Sequence, residues 1–404
     1  MEKVIGLIGS MDTKGIEFDF VRQELERLGH QTLIIDTGVI GKPLLKPDIT
    51  RDQVANAAGR DVNELAAKQD RGEAMAVMSQ GAALIAKRLF NERKINGLLG
   101  MGGTAGTIVS STAMRALPIG FPKVIVSTVA SGDTRGYIGT KDIVLFPAVV
   151  DVAGINRISR EIFTRAAGAV SGMVKAVPVS ANDKPMIGAS MFGNTTQCVE
   201  RARSALEKEQ YEVLVFHCTG TGGQTLESLV ADGYISAVLD ITTTEWADEI
   251  AGGVFAAGPD RGDAASARGI PQVIVPGCVD MVNFWAKETV PQQYLDRNLY
   301  VWNPNITLMR TTPEENAQIG RILADKANAS TGPVAFLLPL QGVSILDSPG
   351  QPFWDPQADQ SCFDAIKQNV KPGIPVYEMD CNINDPAFAD RAVELLLNLT
   401  QSNS

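Results

Sequence analysis

The sequence predicts an α/β chain of two open parallel-sheet domains, and three features carry that prediction. Short apolar runs such as VIGLIG (Val4–Gly9) and VIV (Val124–Val126) are continuous rather than alternating, as in parallel strands covered on both faces. These runs lead into loops rich in glycine and hydroxyls and then into segments of helical period, the order of βαβ units. A shift of 182 positions lays Ile5 on Ile187, Gly6 on Gly188, Thr13 on Thr195, Thr37 on Thr219, Gly38 on Gly220 and Gly41 on Gly223. The match is ungapped over about 37 residues, and we read it as an internal duplication.

The 404 residues therefore divide into domains 1–178 and 179–404, with VPVSANDK (177–184) as linker. A net charge of −10 with no clustered Lys/Arg run argues against nucleic acid or an anionic membrane as partner. No apolar run reaches the ~18 residues of a membrane span. The opening MEKVIGLIGSMD runs straight into a strand pattern without a leader layout, so a cytoplasmic location is expected. Five scattered cysteines fit reduced thiols, and no C-x-x-C or H-x-x-x-H spacing singles out a metal site. Any metal would be magnesium held by carboxylates and phosphates.

In chain order, Val4–Gly9 is the first strand, and Gly9, Ser10, Asp12, Thr13 and Lys14 fall in or beside the loop expected after it. That loop stands where open α/β sheets place their ligands. There Lys14 would neutralise phosphate and Asp12 would help hold magnesium; a helix start capped by Asp12 or Thr13 is the plain alternative. Phe18, Val21, Leu25 and Leu28 mark the first helix, and Thr32–Ile35 the second strand, ending at Asp36 where a dinucleotide fold keeps its ribose acid. Residues 41–70 read as an insertion carrying a short helix, and Met75–Phe90 as an alanine-rich amphipathic helix.

The strongest binding signal is Leu98–Thr107, LLGMGGTAGT, where a strand ends in glycines and threonines. Gly102, Gly103, Thr104, Gly106 and Thr107 are the expected phosphate cradle, because the free amides opening the next helix attract an anion. The spacing is G-x-G-G-x-x-G rather than G-x-G-x-x-G, and no G-x-x-x-x-G-K-[ST] string occurs. A tight strand-to-helix turn without ligand is the alternative. Val124–Val126 and the segment 137–156 supply further strand character, followed by a helix reaching about Val174.

In the second half, FGNTT and HCTGTGG bring Asn194, Thr195, Thr219, Gly220, Thr221, Gly222 and Gly223 to strand ends, a density of hydroxyls and amides suited to phosphate or carboxylate. His217, Asp240 and Glu245 are the acid/base candidates. Against them stand a hydrogen-bonded histidine at a strand end and a Thr242–Glu245 capping box. Cys218 reads as buried rather than nucleophilic. Thr312-Pro313-Glu314-Glu315 opens a helix with cap and capping-box glutamate in place. Val334–Pro339, Val376–Met379 and a helix capped by Asn384-Asp385-Pro386 complete the second sheet.

The strings GMGGTAGT, VIVSTVASGD, FHCTGTGG, DITTTEWADE, IPQVIVPGCVDMVNF, NPNITLMRTTPEEN and NINDPAFAD together resemble an uncharacterised bacterial and fungal family. That family is homologous to the ATP-binding inhibitory domain of the tomato mosaic virus resistance protein. The resemblance implies two Rossmann-like domains, ATP binding and a homodimer. In the plant relative the module binds viral replication proteins and is joined to a TIM-barrel domain, so a separately encoded TIM-barrel partner is an expectation here. The functional expectation is an ATP-binding protein, with magnesium, acting on a small acidic metabolite between its domains. A ligand-sensing module without catalysis and a nucleotide-independent enzyme for a phosphosugar or carboxylate are the alternatives.

Overall fold

Five strands, all parallel, make the sheet of the first unit: β1 (Val4–Gly9), β2 (Gln31–Asp36), β3 (Gly97–Gly102), β4 (Lys123–Ser127) and β5 (Val144–Pro147). Their order is β2-β1-β3-β4-β5. The helices are α1 (Met11–Arg27), α2 (Arg51–Ala57), α3 (Val62–Lys68), α4 (Arg71–Asn91), α5 (Thr104–Arg115), α6 (Arg135–Ile138) and α7 (Arg157–Lys175). Side chains alternate across a strand, so Ile5 and Leu7 pack with Phe18, Val21 and Phe163 of α1 and α7. Ile8 turns the other way and joins Met78, Ile85 and Ala113 of α4 and α5. Both faces are covered, as the continuous apolar run demands.

The coordinates form a computed structural model that describes residues 3–177 and 183–402. Contacts divide the chain into two units, Met1–Val179 and Ser180–Ser404. Residues 178–182 of the expected linker lie outside the described residues.

The second unit carries β6 (Met186–Met191), β7 (Glu212–His217), β8 (Ile235–Thr242), β9 (Gln272–Gly277), β10 (Met281–Phe284), β11 (Leu299–Asn303), β12 (Ile306–Arg310), β13 (Val334–Pro339) and β14 (Val376–Met379). Six of them form a parallel sheet ordered β14-β13-β9-β8-β6-β7. Read from β7, that is the order of the first sheet with a sixth strand added. Strand β6 starts and stops 182 positions after β1, so the duplication holds in topology as well as in sequence. The helices are α8 (Thr196–Lys208), α9 (Thr221–Ala231), α10 (Glu245–Ala251), α11 (Asp263–Arg268), α12 (Pro313–Asn328), α13 (Pro356–Asn369) and α14 (Pro386–Ser402).

Several expectations are corrected. The residues after β1 are not a loop: α1 begins at Met11, and Ser10, rather than Asp12 or Thr13, is its N-cap residue. Ser10 supplies no side-chain cap, and the first amide of the helix, that of Met11, instead donates to Asp36 Oδ1 at 2.9 Å, a partner from another strand. The 41–70 insertion holds two helices, α2 and α3, each with its own cap at Thr50 or Asp61. A three-stranded antiparallel sheet, β10-β12-β11, stands apart from the parallel sheet and was not anticipated. The Thr312 capping box does form, Glu315 N donating to Thr312 Oγ1 at 3.2 Å and Thr312 N to Glu315 Oε2 at 2.7 Å.

Candidate functional site

In a sheet ordered 2-1-3-4-5, ligands bind beyond the carboxyl ends of the strands. At that edge of the first unit the chain leaves β3 through Gly102 and Gly103 and enters α5 at Thr104. Gly103 is the N-cap residue and no side chain caps the helix. Thr104 is exposed, and Gly103, Ala105 and Gly106 are half-buried, so the first turn of α5 opens to solvent. Thr107 is buried; its hydroxyl meets Gly103 O at 2.8 Å and Ser127 Oγ at 2.7 Å, which ties α5 to the end of β4.

Packing explains most of the glycines. A Cβ on Gly100 would run into Ser110 Oγ, and one on Gly106 would stand 2.9 Å from the Met101 carbonyl oxygen. Gly102 has a φ of +154° and would meet the Gly106 Cα at 3.1 Å. Gly103 differs: the nearest atom to an added Cβ is Thr128 Oγ1 at an ordinary 3.6 Å.

Beside this turn lies a cavity of about 350 Å³ at the carboxyl ends of β4 and β5, lined by Ser127, Thr128, Ser131, the 147–150 segment and Asp151. Its size falls at the lower end of small-molecule sites.

Of the other polar residues singled out in the first unit, Asp36, Asp12 and Lys14 are engaged by the protein itself. The Asp36 carboxylate is 1% exposed; Oδ1 accepts from the Met11 and Gly38 amides, and Oδ2 takes Arg51 Nε at 2.8 Å. Asp12 accepts from the Gly41 amide at 3.1 Å. The Lys14 ammonium donates to the Val152 carbonyl. Gly9 ends β1 against Phe18, Ser10 is half-buried and Thr13 is exposed.

The matching edge of the second unit is filled. Asn194, Thr195, Thr242, Thr243 and Thr244 are buried, and the threonine hydroxyls find protein partners: Thr195 Oγ1 meets Thr242 Oγ1 at 2.8 Å, and Thr243 and Thr244 donate to the Val275 and Met281 carbonyls. Asn194 Nδ2 donates to Met281 Sδ, while its Oδ1 has no partner among the described residues. Asp240 and Glu245 come together on Arg261, a residue sequence reasoning missed. Arg261 Nη1 and Nη2 bind the Asp240 carboxylate at 2.9 and 2.6 Å, and Nε binds Glu245 Oε2 at 2.8 Å. Glu227 completes the group at 3.4 Å.

The Gly220 and Gly223 amides donate to Glu245 Oε1 at 2.9 and 3.1 Å, so the start of α9 is capped by an internal carboxylate. The Thr242–Glu245 capping box does not form, because Glu245 turns to these amides and to Arg261 instead. Thr221 is exposed and Gly222 packs on the His217 carbonyl, while Thr219 Oγ1 donates to that same carbonyl.

Electrostatics match this closure. Burial pushes the Glu245 carboxyl above its ordinary range, opposed by Arg261. Burial works against the charge of Arg261, but Asp240 and Glu245 outweigh it and hold the guanidinium well above its usual value. The His217 ring is exposed, lies 5.3 Å from the Phe192 ring, and is held below its usual value by partial burial. No hydrogen bond joins it to Asp240 or Glu245 among the described residues. Burial drives the Cys218 thiol up, as fits an inert thiol. Among the described residues no cluster of three or more His, Cys, Asp or Glu is placed to hold a metal ion.

Two family models divide the chain: the N-terminal domain of the uncharacterised protein family UPF0261 over residues 3–178, and its C-terminal domain over 184–400. The chain belongs to the UPF0261 family. Among its relatives, the UPF0261 protein of Clostridium tetani is 48% identical over 99% of this chain and all of that protein. The ToMV resistance protein Tm-1(GCR237) of Solanum lycopersicum is 43% identical over 82% of this chain, which spans 45% of the tomato protein. A crystal structure of UDP-N-acetylglucosamine 2-epimerase aligns with all of this chain and 98% of its own at 12% identity and a TM-score of 0.25, which carries no functional weight. No described helix of this UPF0261 chain is long and apolar enough to cross a membrane.

Proposed function

We propose that this UPF0261 chain binds ATP, with magnesium, at the carboxyl edge of its first sheet, the phosphates resting on the first turn of α5. One observation carries the reading: α5 opens to solvent without a side-chain cap, whereas Asp36 takes the first amide of α1, that of Met11, and Glu245 takes the Gly220 and Gly223 amides at the start of α9. Uncapped amides and the helix dipole together favour an anion. Gly103 supports it further, since it is the glycine of this turn that packing leaves unexplained. Asp240 and Glu245 are held in a buried ion network, so the reading is of a binding site and assigns them no acid/base step.

The test is thermal melting of the full chain with and without ATP and magnesium, beside the Gly103→Val variant. A ligand that binds only the folded state raises the melting temperature, on the order of 5–10 °C for a unit of this size at a hundredfold excess over Kd. The wild type is expected to shift and the folded variant to lose the shift. No shift at millimolar ATP overturns the nucleotide reading.

A further inference from the structure

We infer that the cavity beside α5 is a ribose-reading subsite, in which the Asp151 carboxylate takes the 2′ and 3′ hydroxyls of a ribonucleotide. This rests on the nucleotide reading above and gives the ligand a direction.

The cavity and the phosphate turn share a wall. Thr128 lines the cavity, its amide donates to the Gly102 carbonyl at 3.2 Å, and its hydroxyl stands closest to an added Cβ at Gly103. Ser127, on the same wall, is bonded to Thr107 of α5. A ligand with its phosphates on the first turn of α5 therefore has its next atoms over β4. Ser127 is buried and its hydroxyl is engaged by Thr107 and the Val129 amide; beyond it and the hydroxyls of Thr128 and Ser131, the lining changes to Pro147, Ala148, Val149 and Val150, and then to Asp151. That sequence of hydroxyls, apolar surface and one carboxylate suits a sugar and base better than a second phosphate, which Asp151 would repel. A vicinal diol offers two O–H donors to the two oxygens of a carboxylate, a charge-assisted pair.

The acid that a dinucleotide fold uses for this purpose stands at the end of its second strand. Here that residue is Asp36, and both its oxygens are engaged, by two amides and by Arg51. Asp151 is exposed and held from both sides. Before it, the Val150 amide donates to the Ala148 carbonyl at 2.7 Å across Val149, whose φ is +64°. A three-residue turn of this hand is strained, more so at a β-branched residue, and such strain gathers at ligand sites. After it, Lys14 anchors the Val152 carbonyl to α1.

The experiment is calorimetric titration of the full chain with ATP, 2′-deoxy-ATP and inorganic tripolyphosphate, each with magnesium, for wild type and Asp151→Asn. The wild type is expected to bind ATP about tenfold more tightly than 2′-deoxy-ATP, and D151N to bring the two together. The ratio cancels any general change in phosphate affinity caused by removing a negative charge. Equal binding of the two nucleotides by the wild type, or discrimination that survives in D151N, overturns the subsite. Tripolyphosphate binding as tightly as ATP overturns the subsite and leaves the phosphate turn standing. Failure of all three probes to bind overturns both.

Discussion

After its third strand the first sheet turns through Gly102, Gly103 and Thr104 into solvent; the second sheet turns at the same place through Thr242, Thr243 and Thr244, which are buried. The strand order is shared, so the scaffold does not decide which edge is open. What differs is where each half carries its extra chain. In the first unit it follows β2, and its α2 delivers Arg51 to Asp36, closing the end of β2 and leaving that of β3 free. In the second unit it follows β9, and β10–β12 with the 341–355 segment pack over the strand ends. Phe192, Cys278, Met281, Leu308, Leu346 and Phe353 form one buried cluster there, and the Ile345 amide donates to the Asn194 carbonyl at 3.2 Å. A duplicated fold thus keeps two potential sites and can fill one.

The comparison breaks most visibly at Arg261. Replacing it by methionine leaves Asp240 and Glu245 buried, and Glu227 half-buried, without the cation between them, and uncompensated buried charge of this kind costs about 3–5 kcal/mol. Urea unfolding of R261M is expected to show the second unit melting early while the first keeps its midpoint. An unchanged midpoint for the second unit would mean that the network does not hold the closed edge together.

Next in size is Gly106→Ala. The added Cβ meets the Met101 carbonyl oxygen at 2.9 Å, and overpacking against backbone costs about 1–3 kcal/mol. Here the first unit should unfold at lower urea and the second should not.

A smaller effect separates the edges by pH. Burial raises the Asp248 carboxyl from 3.8 to about 7, against bonds from Asn283 and the Phe255 amide. Between those values the folded state binds more protons than the unfolded one, so this group's contribution to stability is full below pH 4 and is lost as pH rises through 7. Asp248→Asn imitates the protonated form, and the Asn283 amide can turn to present its unpartnered Oδ1. Stability of the second unit should therefore fall less steeply from pH 5 to 8 in D248N than in wild type, the difference in slope being at most about 1.4 kcal/mol per pH unit. Parallel slopes would remove Asp248 from the account.

Much of the scaffold was legible because its signals are local. The VIGLIG run gave β1 residue for residue, and the 182-position repeat anticipated a second sheet before any strand of it was paired. The closed edge was not legible, because its partners are distant in sequence: Arg261 stands 16, 21 and 34 positions from Glu245, Asp240 and Glu227. No short motif marks it, and the buried threonines around it look like an open hydroxyl cluster until their partners are known. Asp12 and Thr13 misled for a related reason, since polar residues in a helix's first turn read like a loop when the capping carboxylate, Asp36, lies on another strand. The glycine burst was found, but sequence could not divide it into residues required by packing and residues that packing leaves unexplained.

Gly103→Ala makes that division measurable, and it is the smallest change with the sharpest outcome. Its backbone is already extended at a φ of −78°, and the new Cβ has Thr128 Oγ1 at 3.6 Å as its nearest neighbour, an ordinary contact. Stability should stay within about 0.5 kcal/mol of wild type, as for substitutions away from tight packing. The methyl group nevertheless stands at the mouth of the α5 turn, where a phosphate would need to approach the amides closely. Urea unfolding read beside ATP titration is expected to show an unchanged midpoint with weakened binding, the reverse of Gly106→Ala with its shifted midpoint. If G103A loses stability as G106A does, Gly103 is structural as well, and the contrast between an open turn and a closed one has to rest on solvent exposure alone.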